Sequence, residues 1–121
     1  MLLSGAGMTL DCGAHGTVAL APFEPHAFAG EWNVAGRLAA GPVRDFNLIV
    51  DRARAASSLE VRVVDGSEAI VLDGAGTRVV YVADGELTHG DAGDTLVADE
   101  PVVLAARMRT RIVVAHVRPM R

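Results

Sequence analysis

The sequence predicts an all-β fold in a single domain, and three observations carry that prediction. Short β-branched runs recur along the chain, Asp-Gly pairs and other turn clusters separate them, and no segment is long enough to stand as a helix. Valine-rich runs suit a pleated, half-buried surface. Short strands about 8–12 residues apart with turn signals between them describe a sandwich or a barrel.

The elements follow in order. Residues 16–21 (Gly-Thr-Val-Ala-Leu-Ala) read as a first clear strand. Glu24-Pro25 and Gly41-Pro42 mark loops, because proline restricts itself and its predecessor. Residues 51–58 (Asp-Arg-Ala-Arg-Ala-Ala-Ser-Ser) contain good helix formers but are too short to stand alone, and read as a loop with at most one helical turn. In residues 59–64, Leu59, Val61 and Val63 share one face and Glu60, Arg62 and Val64 the other. Residues 78–82, 101–106 and 111–117 complete the apolar runs. Asp65-Gly66, Asp73-Gly74 and Asp84-Gly85 each separate two such runs and have the chemistry of tight hairpin turns. Gly90-Asp91-Ala92-Gly93-Asp94 is a further turn cluster.

Composition narrows the function classes. The chain has 121 residues, 50% of them hydrophobic and 21% charged, so disorder is not expected. That length is one domain, read as residues 1–121, able to bury roughly two-thirds of its unfolded surface. All 11 basic residues are arginine, a compositional bias that hints at a GC-rich genome rather than at function. The net charge of -4 gives no basic footprint for general nucleic-acid binding. Cys12, the one cysteine, has no internal disulfide partner, and a reducing cytoplasm is the expected setting. No apolar run approaches the ~18 residues that span a bilayer as a helix, and residues 1–5 lack the pattern of a signal peptide.

Two segments resemble a known family. Residues 79–88, followed by Ala92-Gly93-Asp94-Thr95-Leu96-Val97, resemble the late half of a cupin barrel: strand, glycine turn, polar strand, Gly-Asp, apolar strand. More specific is Phe28-Ala29-Gly30-Glu31-Trp32, then Arg37-Leu38, then residues 41–49 (Gly-Pro-Val-Arg-Asp-Phe-Asn-Leu-Ile), ending at Arg52. With the opening Gly5-Ala6-Gly7-Met8-Thr9-Leu10, this resembles the HutD/Ves family over essentially the whole chain. The resemblance implies a cupin (RmlC-like jelly-roll) β-barrel, a bacterial cytoplasmic setting and, for HutD members, an association with histidine utilisation. Small-ligand binding with a regulatory role is what it suggests in place of an established activity. Family members usually carry a further N-terminal section, so the expectation is that this chain resembles the later part of such a protein, either as a natural short form or as a chain whose start is assigned too far downstream.

Asp45 and Asn47 are the first candidate ligand contacts. In an extended segment they share a face with Val43 and Ile49, while Phe46 points the other way. Asparagine both donates and accepts, and Asp45 could receive an amine, an imidazole N–H or an arginine fork. Both residues could equally bond to nearby backbone, as Asp and Asn often do. Arg37 and Arg52 are the candidate cations: a guanidinium grips a carboxylate with two parallel bonds. Each could instead pair structurally with Asp45. Trp32 could wall a pocket or cover the end of the core.

Other chemistries are weaker. The resemblance to cupins calls for a His-x-His pair with a glutamate and a later histidine, but His15, His26, His89 and His116 show no such spacing, so no metal and no cofactor are expected. Only His116 falls in a strand run, on the face of Ile112 and Val114. Cys12 follows Asp11 and lacks the positive surroundings of a reactive thiolate. No nucleophile elbow and no phosphate-cradling loop occurs. Arg107, Arg109 and Arg111 alternate toward one face, which suits a solvated strand edge.

The expectation is a barrel that binds a small metabolite without converting it, using Asp45, Asn47, Arg37, Arg52 and Trp32, with no catalytic residue assigned. Urocanate or a formylglutamate-like compound is the ligand class that the family resemblance implies. An alternative is a metal-independent cupin enzyme acting on a small carboxylate, with Asp45 or a histidine as general base. A third is a structural module forming a homodimer through an exposed β edge. No nucleic acid or membrane partner is expected.

Overall fold

In the computed structural model, which describes residues 1–120, the chain forms two compact units, residues 1–47 and 48–120. Each has its own apolar core. Apart from one 3-10 turn, Gly13–His15, the described structure is all strands and loops, and all strands pair antiparallel. No helix of the described residues is long and apolar enough to cross a membrane.

The first unit contains β1 (Leu2–Ser4), β2 (Met8–Asp11), β3 (Thr17–Leu20), β4 (Ala35–Leu38) and β5 (Arg44–Asp45). A three-stranded sheet runs β3-β2-β4, and β1 pairs with β5. Alternation along β2 and β3 sends Leu10 and Leu20 to the inner face and Thr9, Asp11 and Thr17 to the outer one. The inner residues join buried Leu2 and Cys12, with Met8, Val18, Trp32, Val34 and Val43 packed against them. Cys12 is a buried free thiol within this core. A Cβ on Gly36 would stand 2.8 Å from Met8 Cε, so the methionine packs directly over bare backbone there.

The later unit contains β6 (Ala55–Val64), β7 (Ile70–Leu72), β8 (Thr77–Asp84), β9 (Glu86–Leu87), β10 (Gly90–Asp91), β11 (Thr95–Ala98), β12 (Val102–Leu104) and β13 (Thr110–Pro119). A four-stranded sheet runs β11-β8-β13-β6. Two smaller pairs, β12-β7 and β10-β9, complete the unit. Leu72 of β7 and Leu104 of β12 share one core with Val64, Val80, Val82, Ile112 and Val114 of the large sheet. These are facing antiparallel sheets of the cupin jelly-roll kind.

Two local expectations change. None of the three Asp-Gly pairs closes a hairpin between its flanking strands: β6 pairs with β13, β7 with β12, and β8 with β11 and β13. The chain crosses from one sheet to the facing one at these turns. Gly74 and Gly85 still use their freedom, with φ of +90° and +96°. The possible helix in residues 51–58 is a single turn, with Arg54 and Ala55 N–H both reaching the Asp51 carbonyl at 3.0 Å. Residues 55–58 are strand instead, because Ala55 to Ser58 pair with Pro119 to His116 of β13. The ladder overrides a weak local helical preference.

Candidate functional site

In the first unit, four of the five expected contacts can be placed. Asp45 ends β5, and Asn47 lies two residues beyond it in extended chain. Phe46 between them is held by Met1: its N–H donates to the Met1 carbonyl at 2.7 Å, and the N-terminal amine donates to the Phe46 carbonyl at 3.0 Å. Asp45 and Asn47 therefore point the same way, and Asn47 Nδ2 donates to Asp45 Oδ2 at 3.3 Å on the exposed surface. Each satisfies part of the other.

Arg37 sits at the middle of β4, opposite Thr9 on β2, on the outer face of the three-stranded sheet. It is exposed and makes no hydrogen bond or ion pair with the described residues. Thr9, Asp11, Thr17 and Arg37 line a shallow depression of about 250 Å³ on that face. Trp32 packs one edge of its unit's core, and its ring is stacked on the His15 imidazole at 3.7 Å between centroids and 6° between planes. A ring face that could have met a ligand is thus taken by His15. Arg52 belongs to the later unit, in the turn before β6.

The later unit contains a second polar cluster, one that no motif marked. Along one face of its large sheet, the cross-strand rows are Ser58–His116–Arg78, then Glu60–Val114–Val80, then Arg62–Ile112–Val82. Directly opposed residues share a face, so the polar row continues the apolar core toward one end of the sheet. There a cavity of about 210 Å³ opens, with Leu72, Arg78 and Val114 buried and Ser58, Glu60 and Asp73 exposed at its rim.

Arg78 is the deepest charge in the described structure, 1% exposed on a central strand. Its Nη1 donates to the Gly76 carbonyl at 3.2 Å, while Nε and Nη2 are buried without a partner. No carboxylate forms an ion pair with it among the described residues. His116 Nε2 lies 2.6 Å from the Ala75 carbonyl. A carbonyl only accepts, so Nε2 carries a proton and donates to it. A signal for Arg78 did exist in the sequence: it has the parity of Val80 and Val82. Val79 and Tyr81 make the opposite face apolar as well, which hid it.

Chemically, the cavity can hold a small polar molecule by charge at its floor and apolar contact on its walls. It is smaller than the ~300–1,000 Å³ of typical drug-sized ligand sites. No group of three or more His, Cys, Asp or Glu side chains among the described residues converges as metal ligands.

Comparison with known proteins sets these features in context. The HutD family profile matches residues 1–118. The chain is similar to a conserved protein of unknown function from Pseudomonas aeruginosa, with a TM-score of 0.86 and 22% identity, over 99% of this chain and 70% of that one. It is also similar to HutD from Pseudomonas fluorescens, with a TM-score of 0.77 and 28% identity, over 99% of this chain and 66% of that one. No curated protein matches it.

Proposed function

Because the chain belongs to the HutD family, we propose that it is a cupin-like protein that binds a small metabolite without converting it and acts as a regulator of histidine utilisation in the cytoplasm. One observation supports the binding half of this reading: the cavity of the later unit is lined by Arg78, whose buried guanidinium has two nitrogens without a hydrogen-bond partner. A buried charge without a partner is costly to a fold, and a ligand that brings a counter-charge offsets that cost.

The test is calorimetric titration of the protein with urocanate and N-formylglutamate, with the mixtures followed by NMR for products. Saturable binding with unchanged ligand supports the reading. Product formation would replace it with an enzyme, and no heat from either compound would remove both compounds as ligands. Asn47→Ala checks the other placement: loss of binding in that variant moves the site to the Asp45–Asn47 pair.

A further inference from the structure

The free donors of Arg78 are not scattered. In a guanidinium plane, Nε–H and one Nη2–H project in parallel from a single edge, the edge that accepts a carboxylate with two bonds. Nη1, the nitrogen outside that edge, is the one anchored to the Gly76 carbonyl. The backbone therefore fixes the plane of the group and leaves the two-pronged edge unspent. Neither nitrogen on that edge reaches bulk solvent.

We infer that this edge of Arg78 binds the carboxylate of a small monoanionic ligand in the cavity of the later unit. The inference rests on the metabolite-binding reading for its biological meaning and names the ligand class for that site. Three features favour a monocarboxylate. The open edge matches two coplanar oxygens. Glu60 and Asp73 line the same cavity and disfavour a dianion such as a phosphate ester, while Arg62 alone adds a second cation. Val71, Leu72 and Val114 offer apolar contact to a short ligand body, and the cavity volume excludes a nucleotide-sized one. The turn over residues 74–76 borders that edge: a Cβ on Gly74 would stand 3.9 Å from Nη2.

The experiment uses the full chain and three probes: propionate, its neutral isostere propionamide, and inorganic phosphate. Proton–nitrogen NMR follows the arginine Nε–H signals and the backbone amides of Gly74 and His116. Propionate is expected to shift the Arg78 Nε–H saturably, with propionamide and phosphate at least tenfold weaker. Arg78→Gln, folded by its amide spectrum, should lose the propionate response, and Arg78→Lys should weaken it at least tenfold, because an ammonium lacks the two-pronged edge. Equal response to propionate and propionamide, or no shift at Arg78, overturns the inference without need of any variant. Of the two proposed metabolites only urocanate is a monoanion at neutral pH: urocanate binding that survives Arg78→Gln, or formylglutamate binding at this cavity, overturns the inference while leaving metabolite binding intact. Saturable propionate binding at Arg78 in a protein that ignores both larger compounds does the reverse, keeping the site and removing the proposed metabolites.

Discussion

Arg78 reaches back two residues and donates from Nη1 to the Gly76 carbonyl at 3.2 Å, the one hydrogen bond of its side chain in the described structure. The contact depends on Gly76 holding φ at +103°, where a side chain would also collide: a Cβ would run into the Val117 carbonyl oxygen. Gly76→Ala should therefore destabilise the later unit by at least about 2 kcal/mol, from backbone strain and steric displacement together. Urea denaturation measures it. A change below about 0.5 kcal/mol would mean that the turn relaxes freely and does not anchor Arg78.

Arg78→Met tests whether the charge serves the fold. Replacing an uncompensated buried charge by an apolar chain of similar length is often neutral or stabilising. The expected melting temperature is equal to or above that of the wild type, with carboxylate binding lost. A drop equivalent to 3 kcal/mol or more, roughly the cost of breaking a buried ion pair, would show that Arg78 has a structural partner.

Thr110 has the opposite character, a buried hydroxyl that is fully used. It is 0% exposed, accepts from the Glu86 N–H at 2.9 Å, and lies 2.8 Å from the Met108 carbonyl and 3.1 Å from the Glu86 carbonyl, to which its one proton can donate. Thr110→Val keeps the shape but strands the Glu86 N–H. A loss of about 1–3 kcal/mol is expected in chemical denaturation, with no effect on ligand affinity.

Asp65 carries a pH-dependent contribution. The Ser67 hydroxyl and N–H both donate to its Oδ1, and these bonds, the hydroxyl first, hold its pKa below the usual carboxylate value. A depressed acid adds stability that is present above its unfolded pKa of about 3.9 and is lost as pH falls through the folded value. Ser67→Ala should raise the Asp65 pKa toward the ordinary value in a carbon-detected NMR titration. An unmoved pKa would assign the shift to another cause.

Ile112, 0% exposed on a central strand of the large sheet, is part of the later unit's core. Ile112→Ala should cost about 2–5 kcal/mol, read by thermal or chemical unfolding. A cost under about 1 kcal/mol would mean that the facing sheets close over the gap.

The all-β class was legible in the valine runs and their turns, because strand propensity and two-residue alternation are local properties. The family was legible in Trp32, Arg37 and the Asp45-Phe46-Asn47 segment. The same alternation correctly grouped Glu60 and Arg62 with Val64 on one face of β6, and His116 with Ile112 and Val114 on β13. What alternation cannot say is which face meets which partner. Only the long-range ladder, His116 opposite both Ser58 and Arg78, put a polar row at the end of an apolar core. The same ladder drew residues 55–58 into β6, and the crossings between facing sheets turned three hairpin-like Asp-Gly pairs into corners. Sequence periodicity determined the strands and their faces. Pairing between residues far apart in the chain decided that Arg78 is buried, because burial depends on what covers a side chain and not on its neighbours in sequence.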